Sequence, residues 1–409
     1  MSETVTITRI GHRGDGIAET ANGPVYVPFT LAGESVRIAR SGKRARLVEV
    51  VNPSPERVEP PCRHFGACGG CALQMMGLDA TRDLKRRFVA DALAQDHIDC
   101  AVEPTFGAPL GSRRRAVFSA MRANKRTVVG FHERASHRII DLTVCPVLRP
   151  RIAKALPLLR DIAAARLPPR KMGRISVLAS ETGLDIAIES GGSGRGPALS
   201  GAMMARLGEA GVARLSFDGD IAALFAEPVL MLAGVPVVPP LGAFAQASVE
   251  AETFMTGLAV AHLEGSGAIA DLFAGFGTFS LALAQHAPVF ALDNAADGLA
   301  ALEKAARQGS GLSPVTAEIR DLMQFPLSEQ ELKRFDGVVL DPPFAGARAQ
   351  AARLAASGVA RIVSISCNPA TFARDARILI DGGFALERVA PVDQFVFAAD
   401  TEVVGLFSR

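Results

Sequence analysis

The chain has 409 residues, of which 49% are hydrophobic and 21% are charged, so it is long enough for two or three domains and is not disordered. Its formal net charge of +2 is too small to point to a partner. The N-terminus has no apolar signal core, so we expect a cytoplasmic protein whose six cysteines stay reduced. The uncharged stretch 228–249 is broken by three prolines and favours short strands over a membrane span.

Residues 1–55 alternate short apolar strands with glycine-rich turns, which predicts a small β-barrel. Residues 36–46 carry five cations and no acid, and residues 113–138 carry eight Lys or Arg against one Glu. Such clusters in a nearly neutral chain indicate a positively charged face that binds phosphates, although ordinary solvated surfaces would explain either cluster alone.

Residues 56–240 mix helical and strand patterns, which predicts a central α+β domain. Its glycine-rich segment 190–197 lacks a strand-loop-helix setting and indicates a hairpin tip, not a phosphate site. Three cysteines follow a C-x5-C-x2-C pattern and a fourth lies further along the chain: Cys62, Cys68, Cys71 and Cys145. Four thiolates can bind zinc or an iron–sulfur cluster, and three close cysteines with one remote cysteine before a proline favour iron–sulfur.

Residues 241–409 alternate near-continuous apolar strands with amphipathic helices, which predicts a parallel sheet covered on both faces. Ligands bind such sheets beyond the carboxyl ends of the strands. Four side chains of functional type lie at or just before predicted strand ends: Asp271, Asp293, Asp341 and Cys367. The sequence therefore predicts an active site at this edge.

The segment DLFAGFGTF, residues 271–279, predicts a cofactor site at the first strand-to-helix turn. Gly275 and Gly277 let a ligand approach the backbone, and Asp293 can accept both ribose hydroxyls of an adenosine. NAD binding would use the same chemistry, but Phe279 occupies the place of the third glycine of the dinucleotide fingerprint. This favours a mononucleoside cofactor, of which S-adenosylmethionine (SAM) is the commonest. Asp341 before two prolines supplies a fixed carboxylate of the kind that methyltransferases of flipped-out bases need.

Cys367 ends an apolar strand and precedes the polar turn Asn-Pro-Ala-Thr. A thiolate that adds to C6 of uracil makes C5 nucleophilic enough to accept a methyl group, and a carboxylate must then remove the C5 proton. The helix that begins at about Ala370 is expected to help lower the thiol pKa. The simpler interpretation is a small buried hydrophobic residue.

The segments SCNPATFARD, DLFAGFGTF, LDPP and GAFAQ resemble motifs of the RNA uracil-C5 methyltransferases, most closely the iron–sulfur 23S rRNA (uracil-5-)-methyltransferases. The resemblance implies a Rossmann-like, seven-stranded SAM-dependent catalytic sheet and a 4Fe-4S cluster on the four cysteines. It also implies that the N-terminal barrel is a TRAM domain, an RNA-binding fold of OB type. It implies Cys367 as nucleophile and Glu402 as general base. It places the other cofactor contacts on Gln246, Phe273, Thr278, Asp293, Asp321 and Asp341. The implied partner is RNA, with 23S rRNA favoured and tRNA possible, and neither a membrane nor an obligate protein partner is expected.

The chain departs from this family pattern at several positions. Phe344 replaces an arginine, Asp400 replaces a histidine, and Thr278 and Asp293 stand where Asn and Glu are frequent. Asp400 is expected to raise the pKa of Glu402 through like charge. Asp-Pro-Pro-Phe is also the signature of enzymes that methylate exocyclic amino groups, which need neither Cys367 nor Glu402. An RNA-binding or assembly factor with a relic catalytic domain is the third hypothesis.

Overall fold

The computed structural model describes residues 2–123, 126–191 and 199–409, and most of the glycine-rich segment 190–197 lies outside them. The described chain contains three large sheets and one two-stranded hairpin. None of its described helices has both the length and the apolar composition that a membrane crossing requires.

The first sheet has six strands: β1 Ser2–Thr6, β2 Arg9–Ile10, β3 Asp15–Thr20, β4 Gly23–Pro28, β5 Ser35–Ser41 and β6 Arg44–Asn52. Their order is β1-β5-β6-β4-β3-β2, and the sheet curls as a half-barrel around its own apolar core. The alternation of buried and exposed residues in β5 gives the sheet one core face and one wet face. The closed OB-type barrel that we predicted is thus observed only as a half-barrel.

A proline-rich linker and the cysteine loop lead into helix α1, Leu78–Gln95, and the short strand β7, Phe106–Gly107. The second sheet and its helices follow: β8 Arg115–Arg122, β9 Thr127–His132, β10 Ile139–Asp141, α2 Pro150–Lys154, α3 Leu156–Arg166, β11 Met172–Ala179, β12 Leu184–Glu189, α4 Gly201–Glu209, β13 Val212–Phe217 and β14 Asp220–Leu224. This sheet has the order β10-β9-β8-β11-β12-β13-β14 and is antiparallel except for the pair β12 and β13.

The hairpin of β15, Leu230–Leu232, and β16, Val235–Val237, occupies the uncharged stretch 228–249. This confirms the prediction of short strands there.

The rest of the chain forms the third sheet and its helices: α5 Val249–Leu263, β17 Ile269–Leu272, α6 Thr278–Leu283, β18 Val289–Asp293, α7 Ala296–Gln308, β19 Val315–Ile319, α8 Glu329–Leu332, β20 Gly337–Leu340, α9 Arg348–Ala355, β21 Arg361–Ser366, α10 Pro369–Asp381, β22 Ala385–Asp393 and β23 Glu402–Ser408. The strand order is β19-β18-β17-β20-β21-β23-β22-β7. The sheet therefore has eight strands, not the predicted seven, because β7 from the middle of the chain pairs with the edge strand β22.

The strand order of the third sheet reverses between β17 and β20, which pair in parallel. Ligands of open α/β sheets bind beyond the carboxyl ends of the strands at such a reversal. The turn after β17 and the segment after β20 are therefore the first places to look for a site.

Helix α1 packs on the third sheet, although the helix ends at Gln95 and the first of the sheet's consecutive strands, β17, begins only at Ile269. Local sequence patterns do not reveal a contact between such distant segments.

 Buried side chains of the helix, among them Val89 and Leu93, share one core cluster with strands of the third sheet. Lys85 of α1 is also buried, and its Nζ donates to Oδ1 of Asp393 at the end of β22 (2.5 Å) and to the carbonyl of Phe395 (3.1 Å). Helix α1 thus fixes the chain that leaves β22.

Candidate active site

The turn after β17 has the shape of a ligand cradle. Gly275 and Gly277 both have positive φ values, 57° and 100°, which favour glycine. A Cβ atom on Gly277 would lie 2.4 Å from Cδ1 of Leu302, so this glycine allows close packing of the turn on α7. A Cβ atom on Gly275 would meet no atom within 4 Å, so this glycine borders open space. The turn therefore leaves room for a ligand against its backbone at Gly275.

Asp293 lies beside this turn at the end of β18. Its Oδ2 accepts a hydrogen bond from the backbone N–H of Gly275 (2.9 Å) and its Oδ1 accepts one from Ala295 (2.8 Å). Each carboxylate oxygen has a further lone pair, so the ribose hydroxyls of a nucleoside can still bind here. Phe273 begins the same turn with a φ of 66°, and Thr278 is the first residue of α6.

Asp321 follows β19 at the same edge of the sheet. Its carboxylate accepts hydrogen bonds from the backbone N–H groups of Met323 (3.0 Å) and Gln324 (3.2 Å) and from the side chain of Gln324 (2.7 Å). The backbone N–H of Arg320 donates to the carbonyl of Asp293 (2.8 Å), which connects this turn to the end of β18. Asp321 thus stabilises its own turn next to the Asp293 side of the site.

Four buried or half-buried side chains form a chain of hydrogen bonds beyond β20 and β22. Nε2 of Gln246 donates to Oδ2 of Asp341 (3.1 Å), and Oε1 of Gln246 accepts from Nε2 of Gln394 (2.9 Å). The same Nε2 of Gln394 donates to Oε1 of Glu402 (3.0 Å). The predicted residues Gln246, Asp341 and Glu402 are therefore joined, and Gln394 is the residue that joins them.

Burial raises the pKa of Asp341 and Glu402, the two acids at the ends of this series of hydrogen bonds. The pKa of Asp341 rises to about 7, with the bond from Gln246 acting in the opposite direction. The pKa of Glu402 rises to about 8, first through burial and then through the charges of Asp341 and Asp400. The predicted effect of Asp400 on Glu402 is thus confirmed, although burial is the larger cause. A carboxylate with such a pKa can take up a proton near neutral pH.

Cys367 lies between β21 and α10, where Asn368 caps the helix by accepting a hydrogen bond from the N–H of Ala370 (3.1 Å). Burial raises the pKa of the Cys367 thiol to about 12, and the carboxylates of Glu402 and Asp341 raise it further. The expectation of a lowered thiol pKa is therefore wrong for this structure, because desolvation and two nearby acids act against ionisation. The same result places Cys367 in the electrostatic neighbourhood of Glu402 and Asp341.

Asp271 lies inside β17, close enough to Asp341 and Asp293 for their charges to raise its pKa. Burial is the larger cause, and the pKa reaches about 7. Its Oδ2 accepts a hydrogen bond from the Ser280 hydroxyl (2.5 Å), which ties β17 to α6 beneath the glycine turn. Asp271 thus supports the turn from within the sheet.

Phe344 lies at the rim of the site, after the two prolines that follow Asp341. Its carbonyl accepts long hydrogen bonds from Nδ2 of Asn368 and Oγ1 of Thr371, both at 3.4 Å. Its residue surface is 64% exposed, so the ring is available to a ligand. The backbone here connects the Asp341 segment to the Cys367 segment.

The four predicted cluster ligands are electrostatic neighbours. The pKa of Cys71 rises to about 12 and that of Cys145 to about 11, in both cases chiefly through burial and further through the other thiols of the set. However, in the part of the chain that the structure describes, no group of three or more His, Cys, Asp or Glu side chains is arranged as a metal site. The structure brings the four cysteines near one another without showing a metal centre.

The predicted positively charged face is only partly available to RNA. Within residues 113–138, four arginines form ion pairs: Arg114 with Glu252, Arg126 with Asp141, Arg134 with Asp15 and Arg138 with Glu133. Half of the eight cations in this segment are therefore paired, and a paired cation attracts phosphate less strongly.

Gln394 is the site residue that sequence analysis missed. It follows Asp393 at the end of an apolar strand and is 2% exposed. A glutamine at a strand end in the C-terminal half of this chain was the available signal, but no spacing or motif connects it with Gln246 or Glu402. Only the folded chain brings these side chains together.

The comparisons with known proteins agree with this geometry. Residues 240–409 match the family model described as tRNA (Uracil-5-)-methyltransferase. An uncharacterized RNA methyltransferase of Rhizobium meliloti is 44% identical over 99% of this chain and 99% of its own length. The 23S rRNA (uracil(1939)-C(5))-methyltransferase RlmD of Chromohalobacter salexigens is 33% identical over 100% of this chain and 90% of its own.

A solved structure supports the fold over the whole length. The tRNA (uracil-54, C5)-methyltransferase of Pyrococcus abyssi, in complex with S-adenosyl-L-homocysteine, superposes with a TM-score of 0.77 at 20% identity. The match covers 99% of this chain and 100% of that one.

The sheet order, the glycine turn and the acids at the strand ends define a methyltransferase of the class that binds SAM at the carboxyl edge of a parallel sheet. The chain belongs to the RNA uracil-5-methyltransferase family and is a SAM-dependent enzyme of that family.

Proposed function

We propose that this protein methylates C5 of a uridine in 23S ribosomal RNA, in the cytoplasm, through a covalent bond between Cys367 and C6 of the base. The observation that carries the proposal is the convergence of one thiol and two buried acids at one edge of the sheet. The rRNA assignment is supported by the full-length similarity to an enzyme named for 23S rRNA. The three modules proposed are residues 1–55 for RNA binding, 56–240 for the cluster and 241–409 for catalysis.

The cofactor side of the site consists of the glycine turn and the acids beside it. The open space at Gly275 and the carboxylate of Asp293 fit a nucleoside, and we assign Phe273, Thr278 and Asp321 to the same side. Gln246 and Asp341 lie between this turn and the thiol side. When bound, SAM supplies an electrophilic methyl group on a sulfonium cation, whose positive charge opposes the raised pKa values of the nearby acids and thiol.

The residues of the chain perform the reaction in three steps. Cys367, after its thiol has released a proton to solvent, adds through Sγ to C6, and the electrons of the C5–C6 double bond form an enolate. C5 of the enolate then bonds to the methyl carbon, and the bond from that carbon to sulfur breaks. Glu402 removes the C5 proton, the C5–C6 double bond forms again, and Cys367 leaves as a thiolate.

A trapping experiment tests the nucleophile. RNA transcribed with 5-fluorouridine should form a gel-stable adduct with the protein in the presence of SAM, because fluorine cannot leave C5 as a cation. Cys367→Ala should abolish the adduct. Cys100→Ala is the matched control, since Cys100 is half-buried away from the site and should leave the adduct unchanged. A wild-type protein that forms no adduct would contradict the proposed mechanism.

The same experiment separates the RNA classes. Two substituted transcripts, 23S rRNA and a tRNA pool, are offered at equal uridine concentration. We expect the adduct on 23S rRNA, and an adduct on tRNA alone would overturn the ribosomal assignment while leaving the chemistry intact.

The exposed ring of Phe344 favours one other activity, methylation of an exocyclic amino group with the base stacked on the aromatic ring. That reaction needs no nucleophilic thiol. Methyl transfer that survives in Cys367→Ala would support it and contradict the uracil-C5 mechanism.

We also propose that the four neighbouring thiols of Cys62, Cys68, Cys71 and Cys145 bind a 4Fe-4S cluster as thiolates. The iron ions would compensate the charge of the buried thiolates, and the role of the cluster would be structural because the methyl transfer moves no electrons. Protein purified without oxygen should be brown and contain iron and sulfide in equal amounts. Cys71→Ser should lose both and Cys100→Ser should retain both, whereas a colourless zinc protein would contradict the assignment.

A further inference from the structure

Gln394 lies at the centre of the hydrogen-bond chain that joins the two acids of the site. Its Oε1 accepts from the backbone N–H of Ala247 (2.8 Å), and its Nε2 donates to Gln246 and Glu402. Both amide protons and the amide oxygen are therefore used, and the side chain is 2% exposed. A residue with these contacts has one orientation only.

The direction of every bond in this chain follows from one backbone group. The N–H of Ala247 can only donate, so the Gln394 atom that it contacts is the oxygen. The amide nitrogen of Gln394 must then face Oε1 of Gln246, which leaves Nε2 of Gln246 to face Asp341. Each of the two acids consequently receives one N–H bond, and an N–H bond favours the ionised carboxylate.

On this basis, and resting on the proposed function, we propose that Gln394 is a positioning residue for the proton-abstraction step, which orients Glu402 and favours its carboxylate form. Oε1 of Glu402 is occupied by the bond from Gln394, so Oε2 is the oxygen that accepts the C5 proton. Lys85 binds the residues on both sides of Gln394, through the carboxylate of Asp393 and the backbone carbonyl of Phe395. Gln394 is therefore held from the side of α1 as well.

Several charged groups around Glu402, together with the bond from Gln394, set the pKa of its carboxyl group. Asp341 and Asp400 raise the pKa of Glu402, Lys85 lowers it, and the thiol of Cys367 is a further titratable neighbour. The hydrogen bond from Gln394 also lowers the pKa of Glu402. Loss of this bond must therefore raise the pH at which Glu402 ionises.

The test uses two variants of the full-length protein. Gln394→Met keeps the length of the side chain and removes both donors. Gln394→Glu keeps the shape and an acceptor for Ala247, but when ionised it cannot donate to Glu402. In both we expect the acidic limb of the pH–rate profile for methylation to move up by about one to two pH units. At pH 7 turnover should fall by about tenfold or more, with recovery at higher pH.

Trapping separates proton removal from the earlier steps. Adduct formation with 5-fluorouridine RNA should stay within about threefold of wild type in both variants, because that adduct forms before proton removal. With ordinary RNA, a methylated covalent complex should accumulate in Gln394→Met. Thermal unfolding and SAM binding identify a variant that is merely misfolded, and the isosteric Gln394→Glu is the variant expected to fold.

The outcomes are distinct. An unchanged pH profile in folded variants, or equal losses in trapping and turnover, would overturn the role of Gln394. Failure of the wild-type protein to form any 5-fluorouridine adduct would instead overturn the proposed function on which this role rests.

Discussion

Glu402, the proposed general base, is buried although that role requires a negative charge. It is 5% exposed, and its pKa of about 8 lies well above the ordinary value of 4.5. Because the base must be ionised to take the C5 proton, we expect the methylation rate to rise between about pH 6 and pH 8. The measurement is single-turnover methyl transfer across this range, and a rate that is flat across it would contradict Glu402 as the base.

Glu402→Gln tests the same residue by substitution. We expect turnover to fall by about 10²–10⁴-fold, since a general base is lost, while addition of Cys367 and methyl transfer continue. A covalent, methylated RNA–protein complex should then accumulate with ordinary uridine RNA and be visible on a denaturing gel. Glu303→Gln, on the surface of α7, is the matched control. Undiminished turnover in Glu402→Gln would refute the assignment.

The raised pKa also has a consequence for stability. The folded state favours protonated Glu402, and the unfolded chain ionises near 4.5. The contribution of this group to stability is therefore present below pH 4.5 and falls as pH rises towards about 8. Glu402→Gln should lack this part of the pH dependence of unfolding.

At the level of single elements, the two glycines of the β17–α6 turn have different surroundings. Gly277 packs against Leu302 of α7, and Gly275 borders the open space that we assign to the cofactor. Gly277→Ala should destabilise the protein by about 2–4 kcal/mol, because it adds a clash with Leu302 to the strain of a positive φ. Gly275→Ala has only the strain, about 1 kcal/mol, but places a methyl group in the open space beside Asp293. We expect this second variant to bind SAM more weakly.

Urea unfolding and calorimetric titration with SAM measure the two effects on the same pair of variants. Equal stability of the two variants would show that Leu302 moves aside without cost. Unchanged SAM affinity in Gly275→Ala would show that the cofactor does not approach this backbone.

The elements that could be predicted are those with a local signal. The third sheet was predicted because its strands are apolar throughout, and α10 because Asn368-Pro369 marks a helix start. The two-residue strand β7 and the packing of α1 on the third sheet have no such signal, because they depend on contacts between distant parts of the chain. The same applies to Gln394 and to the raised pKa of the Cys367 thiol, which is a property of its surroundings.

At the scale of the whole molecule, three parts of the chain meet at the loop between β22 and β23. The carbonyl of Phe397 in this loop accepts from the N–H groups of Ala72 and Leu73 in the cysteine loop (2.8 and 3.0 Å). Gly14 of the first sheet lies against Ala72 and Ala399, since a Cβ there would be 2.9 Å and 3.4 Å from their Cβ atoms. The loop that carries Gln394 thus contacts both the cysteine loop and the first sheet.

The buried ion pair of Lys85 and Asp393 connects α1 with the end of β22, and the two residues are 308 positions apart in the sequence. Lys85→Met leaves the Asp393 carboxylate buried and unpaired, so we expect a loss of about 3–5 kcal/mol in the free energy of unfolding. Lys85→Met combined with Asp393→Leu removes both charges and should recover most of that loss.

The surface ion pair of Arg353 and Glu329 is the matched control for the substitution of Lys85. It joins the same types of charge at 2.9 Å, but both side chains are more than a third exposed, so Arg353→Met should change stability by at most about 1 kcal/mol. Urea unfolding of the wild-type protein and of these three variants, followed by circular dichroism, gives the comparison. If Lys85→Met lowered the free energy of unfolding no more than Arg353→Met, the ion pair would not be what holds α1 against the segment that carries Gln394. Apolar packing of α1 would then have to account for that contact.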